Sequence, residues 1–337
     1  MITTDRLRAV HTIVTHANCP DGIASAILLH DVLPEAKIVF VQHQTLEHKS
    51  LPVSEGVLFV DFAPHETQAQ QFVEAGAMIL DHHKTSRAIV EAFGDNGRFG
   101  DEVQDPGVCG AVLAFNHVWA PLKSPSYLIP KPPLKEYQIA KDFATLAGVR
   151  DTWQKDSPDW HRACVQAEML RFFPIETLLA DTCPFLNSNQ SRWLPRMEIG
   201  ELLIAKHTKS TQKAVAKSFK FKSLAGTRVV MLSNVGAVND AAELLREEAD
   251  LVVAFGYEVE DNMPKIYFST RTGRSFDCGT FCKDHGGGGH TKAAGFNLPL
   301  PALNPYTAFR QVLDNWEMSH ASPQLPLLPT PPYMKPM

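Results

Sequence analysis

Seven side chains in four short segments have the types that bind and move charge: His16 and Asp21, then Asp61, then Asp81-His82-His83, then Asp151. Carboxylates mixed with imidazoles suit chemistry at a centre that is itself negatively charged. A phosphodiester repels nucleophiles, and its hydrolysis needs that charge neutralised and a water ionised near neutral pH. Two divalent cations about 3.5–4 Å apart meet both needs. Such a pair asks for one carboxylate shared between the ions, further carboxylates for charge, and a few imidazoles. That donor mixture suits Mn²⁺ better than an all-oxygen Mg²⁺ site, with Co²⁺ and Zn²⁺ also compatible. Each residue alone has a blander role, as a turn cap or, for Asp151 beside Arg150, a plain ion pair.

The elements around them decide between these roles. Val10–Thr15, Lys37–Val41, Gly56–Val60 and Ala77–Leu80 are short apolar, β-rich runs. Helical patterns lie between them at Gly22–Leu33 and His65–Ala75. Alternation of this kind predicts βαβ units in an α/β fold, with a mostly parallel, doubly wound sheet. Ligands of such sheets bind beyond the carboxyl ends of the strands. His16, Asp61 and the 81–83 cluster each follow a strand, so the topology places them at one rim. A lone capping role does not explain three segments doing the same thing.

These segments, Thr15-His-Ala-Asn-Cys-Pro-Asp-Gly22, Val60-Asp61, Leu80-Asp-His-His83 and Gly148-Val-Arg-Asp151, resemble the successive motifs of the DHH/RecJ-like phosphoesterase superfamily. The resemblance implies a division of labour. Asp61 would bridge two metal ions, His16 would hold the first, and Asp21, His82 and Asp151 the second. Asp81 would orient a ligand from behind, and His83 would approach the scissile phosphate as a hydrogen-bond donor or acid. One position departs from the pattern: family members commonly carry an aspartate where Cys19 stands. Either the Cys19 thiolate ligates the first ion and favours a softer metal such as Zn²⁺, or it makes no metal bond.

From Gly107 to Glu201 the pattern is mainly helical, broken by a Pro-rich loop over 121–133. Beyond Lys217 strand and helix signals restart: strands at Thr227–Ser233, Leu251–Glu258 and Pro264–Arg271, helices at Ala237–Glu248 and Phe276–Asp284. The expected organisation is a catalytic domain over 1–200, a helical junction over 201–218, a smaller α/β domain over 219–317 across a cleft, and a Pro-rich tail over 318–337. Residues 322–337 hold six prolines and are not expected to pack. The run His285-Gly-Gly-Gly-Gly-His-Thr-Lys292 is either linker or a cradle of bare amides for a phosphate or sugar. It resembles the signature of the DHH-associated domain, which implies substrate binding by Gly287, Gly288, Gly289, His290 and Lys292. Arg271, closing a strand, would clamp a phosphate; Arg274 is a weaker candidate. Cys278, Cys282, His285 and His290 also form a loose zinc-like pattern, but with non-standard spacing and the two cysteines one helical turn apart.

The bulk numbers narrow the partners. At 337 residues, 44% hydrophobic and 20% charged, the chain supports two cores. A formal charge of −5 gives no global pull onto nucleic acid, so long duplexes are not expected. Six scattered cysteines argue against a disulfide framework and fit a reducing compartment. No run reaches the roughly 18 apolar residues of a membrane span. With no signal-peptide pattern, the expected setting is cytoplasmic. The substrate expected is a short oligonucleotide, as for an oligoribonuclease-like exonuclease, or a small nucleotide. A homodimer is an assembly to test. Rival readings are a cyclic or linear dinucleotide phosphodiesterase, less readily a pyrophosphatase or exopolyphosphatase, and a non-catalytic nucleotide-binding regulatory protein.

Overall fold

A computed structural model describes residues 2–42, 45–123, 134–180, 190–233, 235, 238–260, 263–300 and 304–320. The chain divides into two compact units, Met1–Ile204 and Ala205–Met337. The expected Pro-rich loop lies mostly, and the tail beyond residue 320 wholly, outside the described residues.

In the first unit the strands are β1 (Thr12–His16), β2 (Lys37–Val41), β3 (Val57–Val60), β4 (Met78–Asp81) and β5 (Gly97–Phe99). Helices α1 (Thr4–Arg8), α2 (Pro20–Val32), α3 (Leu46–Lys49), α4 (Glu66–Glu74) and α5 (Arg87–Ala92) alternate with them. Then follow α6 (Gly110–Ala114), a π-helical turn Phe115–Trp119, α7 (Ala120–Lys123), α8 (Leu134–Asp151), α9 (Trp160–Phe172), α10 (Ile175–Ala180) and α11 (Gln190–Ala216), whose residues from Ala205 onward fall in the second unit. The sheet order is β2-β1-β3-β4-β5, with every pair parallel.

Both faces are covered, which is why the strands read as unbroken apolar runs. Ile13, Leu58, Val60, Met78 and Leu80 pack towards Leu29 of α2 and Leu113 and Ala114 of α6. Val14, Val57, Phe59 and Ile79 point the other way, to Phe72 of α4 and Val90 of α5. Each such side chain, fully buried, contributes about 1.5–3 kcal/mol. Strand order reverses direction between β1 and β3, the topological switch point at which open α/β sheets place their ligand crevice. His16 ends β1 and Asp61 follows β3, so the topology alone aims them at one crevice.

The second unit is a six-stranded mixed sheet. It contains β6 (Phe219–Lys222), β7 (Arg228–Ser233), β8 (Leu251–Glu260), β9 (Met263–Arg271), β10 (Gly288–His290) and β11 (Ala293–Pro299). Its helices are α12 (Val238–Leu244), α13 (Cys278–Asp284) and α14 (Pro305–His320). The order is β10-β11-β9-β8-β7-β6, with only β7 and β8 parallel. One face packs on Ala241 of α12 and on Leu245 just beyond that helix. The other buries Phe268, Phe281, Phe296 and Phe309 between sheet, α13 and α14.

Candidate metal centre

Two of the strand ends are shaped to expose polar groups. Asn18, between β1 and α2, has φ 59°, and Asp61, after β3, has φ 53°. Asn and Asp tolerate this left-handed region better than most residues, and its use at both strand exits turns the chain sharply towards the rim. Trp153, two residues beyond Asp151, has φ 59° as well. Gly22 lets α2 close on the loop, since a Cβ there would lie 2.4 Å from the His16 carbonyl oxygen.

The side chains meet. His82 Nε2 lies 3.3 Å from Asp61 Oδ1, 3.5 Å from Asp151 Oδ2 and 3.8 Å from Asp21 Oδ2. Three groups of potential metal donors result, each with ligand atoms within 4.8 Å of one another: His16, Cys19 and Asp61; Asp21, His82 and Asp151; and Asp61, Asp81, His82 and His83. Asp61 and Asp21 are 1% and 2% exposed, whereas the Asp151 side chain, at 29%, forms the open edge.

Asp21 is held by hydrogen bonds from the Gly110 N–H to Oδ2 (2.6 Å) and the Ala111 N–H to Oδ1 (2.8 Å), at the start of α6. Gly110 is required there: a Cβ would sit 2.4 Å from Asp61 Cβ and 2.9 Å from Asp21 Oδ2. Asp81 Oδ1 accepts the backbone N–H groups of His82 (2.8 Å) and His83 (3.2 Å) and lies 2.7 Å from His83 Nδ1. Glu102 Oε1 stands 3.4 Å from His82 Nδ1, behind the edge that faces the carboxylates. Gly110, Ala111 and Glu102 escape the sequence reading. The only trace of them is the small-residue run Gly107-Val-Cys-Gly-Ala111 and an acidic turn after β5.

Electrostatics shows how poorly this cluster is balanced by itself. Burial and the charge of Asp61 raise the Asp21 carboxyl to about 7. Burial and Asp21 raise Asp151 to about 6. Burial works against the His82 imidazolium, but Asp61, Asp21 and Asp151 outweigh it and lift the group to about 10. Burial likewise opposes His83, and its bond to Asp81 overrides it, to about 9. Asp81 is pushed up by burial yet held below the usual carboxylate range by His83, Ser86 and His82. Burial, then Asp61, Asp151 and Asp21, push the Cys19 thiol well up.

Both carboxylate oxygens of Asp61 and Nε2 of His82 are buried without a hydrogen bond of acceptable geometry. Buried polar atoms are seldom left so, because each costs about 1–3 kcal/mol. Asp61 oxygens shared among imidazoles and other carboxylates are the arrangement that divalent cations satisfy, so the residues present fit such ions.

In the second unit the glycine run is neither linker nor open loop. β10 pairs antiparallel with β11, Gly288 opposite Gly295 and Gly289 opposite Ala294. Gly289 has φ 135°, and a Cβ at Gly287 would meet the Gly295 carbonyl oxygen at 2.1 Å, so close backbone approach demands glycine at both. Gly288 faces open space. A cavity of about 380 Å³ is lined by Asp277, Thr280, Lys283 and Gly287 to Gly289. Lys292 is exposed, and the side chain of His290 lies outside the described residues.

Arg271 is engaged within its own unit. Nη1 donates to Ser269 Oγ (3.0 Å) and the Thr270 carbonyl (2.8 Å), and Nε donates to Asn239 Oδ1. Among the described residues Nη2 donates to none. Arg274 is drawn to Glu247 and Asp250 at 3.5 Å each. Cys278 and Cys282 are core residues, with Cys282 Sγ 3.3 Å from Thr270 Oγ1, and His285 Nδ1 sits 2.7 Å from the Phe281 carbonyl. Among the described residues no group of metal donors includes Cys278, Cys282 or His285.

Residues 227–318 match the DHHA1 domain. The match lies within the second unit, Ala205–Met337. Two solved structures share its fold over nearly its whole length. One is the pGpG-specific phosphodiesterase PggH from Vibrio cholerae, at TM-score 0.54 and 14% identity, covering 92% of this chain and 100% of its own. The other is the DHH domain of a protein assigned to a family of ribosomal proteins, at TM-score 0.55 and 14% identity, covering 93% and 87% respectively. No curated protein matches the chain in sequence. The DHH triplet itself is Asp81-His82-His83, and the DHHA1 domain contains Arg271 and the glycine hairpin. Among the described residues no helix is long and apolar enough to cross a membrane.

Proposed function

We propose that the chain is a divalent-metal-dependent phosphoesterase that hydrolyses short oligonucleotides or small nucleotides by a two-metal mechanism. The observation that carries this is the buried Asp61 carboxylate, without hydrogen bonds of its own, standing between a His16–Cys19 group and an Asp21–His82–Asp151 group. His16 and Asp61 would hold a first cation, and Asp21, Asp61, His82 and Asp151 a second. A bound pair supplies Lewis acidity at the phosphoryl oxygens and a nucleophilic water near neutral pH.

The chain's own residues do the rest. Asp21, pinned by two backbone N–H groups, cannot swing away from the site. Glu102 holds one edge of His82 and so keeps the other edge towards the carboxylates. Asp81 holds His83 as an imidazolium that can hydrogen-bond a phosphate or deliver a proton to the departing oxygen. Arg271, whose Nη2 donates to no group among the described residues, would bind a further phosphate, and the glycine hairpin with His290 and Lys292 the substrate end remote from the reaction.

Support for a nucleotide substrate comes from the DHHA1 domain and from the fold shared with a pGpG phosphodiesterase. The net charge of −5 supports a short substrate, because it offers no attraction for long strands. Linear dinucleotides such as pGpG fall within this class and are the first compounds to try. The test is incubation of the purified chain with di- to pentanucleotides, pGpG and 3′-phosphoadenosine 5′-phosphate under Mn²⁺, Mg²⁺, Co²⁺ and Zn²⁺. Mononucleotide or phosphate release is expected. Tight nucleotide binding with no turnover under any of these ions would select the regulatory reading instead.

A further inference from the structure

Two clusters of donors flank Asp61, and they differ chemically. Asp21, His82 and Asp151 offer only nitrogen and oxygen. His16, Cys19 and Asp61 add a thiol sulfur, with all three ligand atoms within 4.8 Å of one another. Cys19 is a free thiol, half-buried at the N-cap of α2. An inert buried thiol packs among hydrocarbon, whereas this sulfur has donor atoms of His16 and Asp61 within 4.8 Å. Asp61, Asp151 and Asp21 all stand close enough to act on its charge. The left-handed turn at Asn18 and the missing side chain at Gly22 hold the loop in the shape that brings Cys19 beside His16 and Asp61.

Resting on the two-metal reading above, we infer that His16, Cys19 and Asp61 form a thiolate metal site, so that this chain's two ion positions differ in softness. The sulfur site takes a thiophilic ion such as Zn²⁺ or Co²⁺ in preference to Mn²⁺ or Mg²⁺. The all-N/O site accepts Mn²⁺ or Mg²⁺. As the sulfur–metal bond forms, the thiol proton leaves to solvent, so uptake of the first ion releases a proton that a purely carboxylate site does not. In a mixture of ions the pair would be heteronuclear.

Metal-free full-length protein titrated with Co²⁺ or Cd²⁺ tests this by absorption, alongside an elemental count of bound ions. The expected result is a thiolate-to-metal charge-transfer band that is present in wild type and in Cys109→Ser and absent in Cys19→Ser and Cys19→Asp. Cys19→Asp, which restores an oxygen donor, should still bind two ions. Its preference for Zn²⁺ over Mn²⁺ should fall by about tenfold or more, since losing a direct ligand outweighs the ~10–100-fold effect of disturbing an outer partner. Two ions bound to wild type with no charge-transfer band, or a band lost in Cys109→Ser and kept in Cys19→Ser, would overturn the thiolate site while leaving the two-metal reading standing. No ion bound to wild type at all would remove both.

Discussion

Replacing Gly110 by alanine sets two effects of opposite sign against each other. As a helix residue, alanine is favoured over glycine by about 0.8–1.0 kcal/mol. Against that, the new methyl would lie 2.4 Å from Asp61 Cβ and 2.9 Å from Asp21 Oδ2. Unbonded carbons settle at about 3.5–4.0 Å, so Asp61 or α6 must move by roughly 1 Å or more. Overpacking of this kind costs typically about 1–3 kcal/mol, so the clash should win and leave the metal-free protein up to about 2 kcal/mol less stable. Activity should suffer more than stability. The displaced groups are Asp61 and the two N–H donors that fix Asp21, and a 1 Å misplacement is worth about 10²-fold in rate. Urea unfolding of metal-free protein and kcat/KM on a dinucleotide with Mn²⁺ measure both. A Gly110→Ala variant more stable than wild type and equally active would refute the packing argument and the role given to Asp21.

Stability of the metal-free protein should fall as pH rises. The folded Asp21 carboxyl, at about 7 instead of 3.8, keeps a proton that the unfolded chain has lost, so its contribution disappears between about pH 4 and 7. His82, raised from 6.5 to about 10, adds a contribution that is lost between those two values. Thermal melts from pH 5 to 9 should therefore show a declining Tm without metal and a stabilisation by Mn²⁺ that grows over the same range, because the ligands must shed protons to bind; a rising metal-free Tm would contradict this. Glu102→Gln should weaken Mn²⁺ binding by about tenfold, the low end for an outer partner of an imidazole because Glu102 is partly exposed, as calorimetric titration would show. Arg271→Ala should raise KM by roughly 10–100-fold, the value of a charge-assisted hydrogen bond, with kcat little changed, and a collapse of kcat with KM unaltered would place Arg271 elsewhere in the reaction.

The parts of this protein legible in its sequence are those written locally. Val57 to Val60 is an apolar run because both sheet faces are covered, and a polar residue straight after such a run, Asp61, announces a strand end. The same logic finds His16 and the 81–83 triplet. The short elements are less readable: β5 has three residues, and β6, Phe-Lys-Phe-Lys, alternates strictly but over only four residues of a mostly exposed edge strand. Gly110 is invisible because its function is to donate a backbone N–H to a carboxylate 89 residues earlier, and backbone donors leave no mark in residue type. Glu102 is one acid among many until the fold carries it to His82. The glycine run misleads in the other direction. Its composition reads as slack, yet Gly287 and Gly289 are demanded by a hairpin whose backbones nearly touch.

The claim on which the account turns is that Asp61 is shared by two cations. Metal-free wild-type chain titrated with Mn²⁺ and followed by electron paramagnetic resonance, with the bound ions counted, tests it most directly. The predicted result is two ions per chain with the signal of a magnetically coupled pair, and loss of that coupling in Asp61→Ala. A single bound ion in an active enzyme, or coupling that survives in Asp61→Ala, would contradict it.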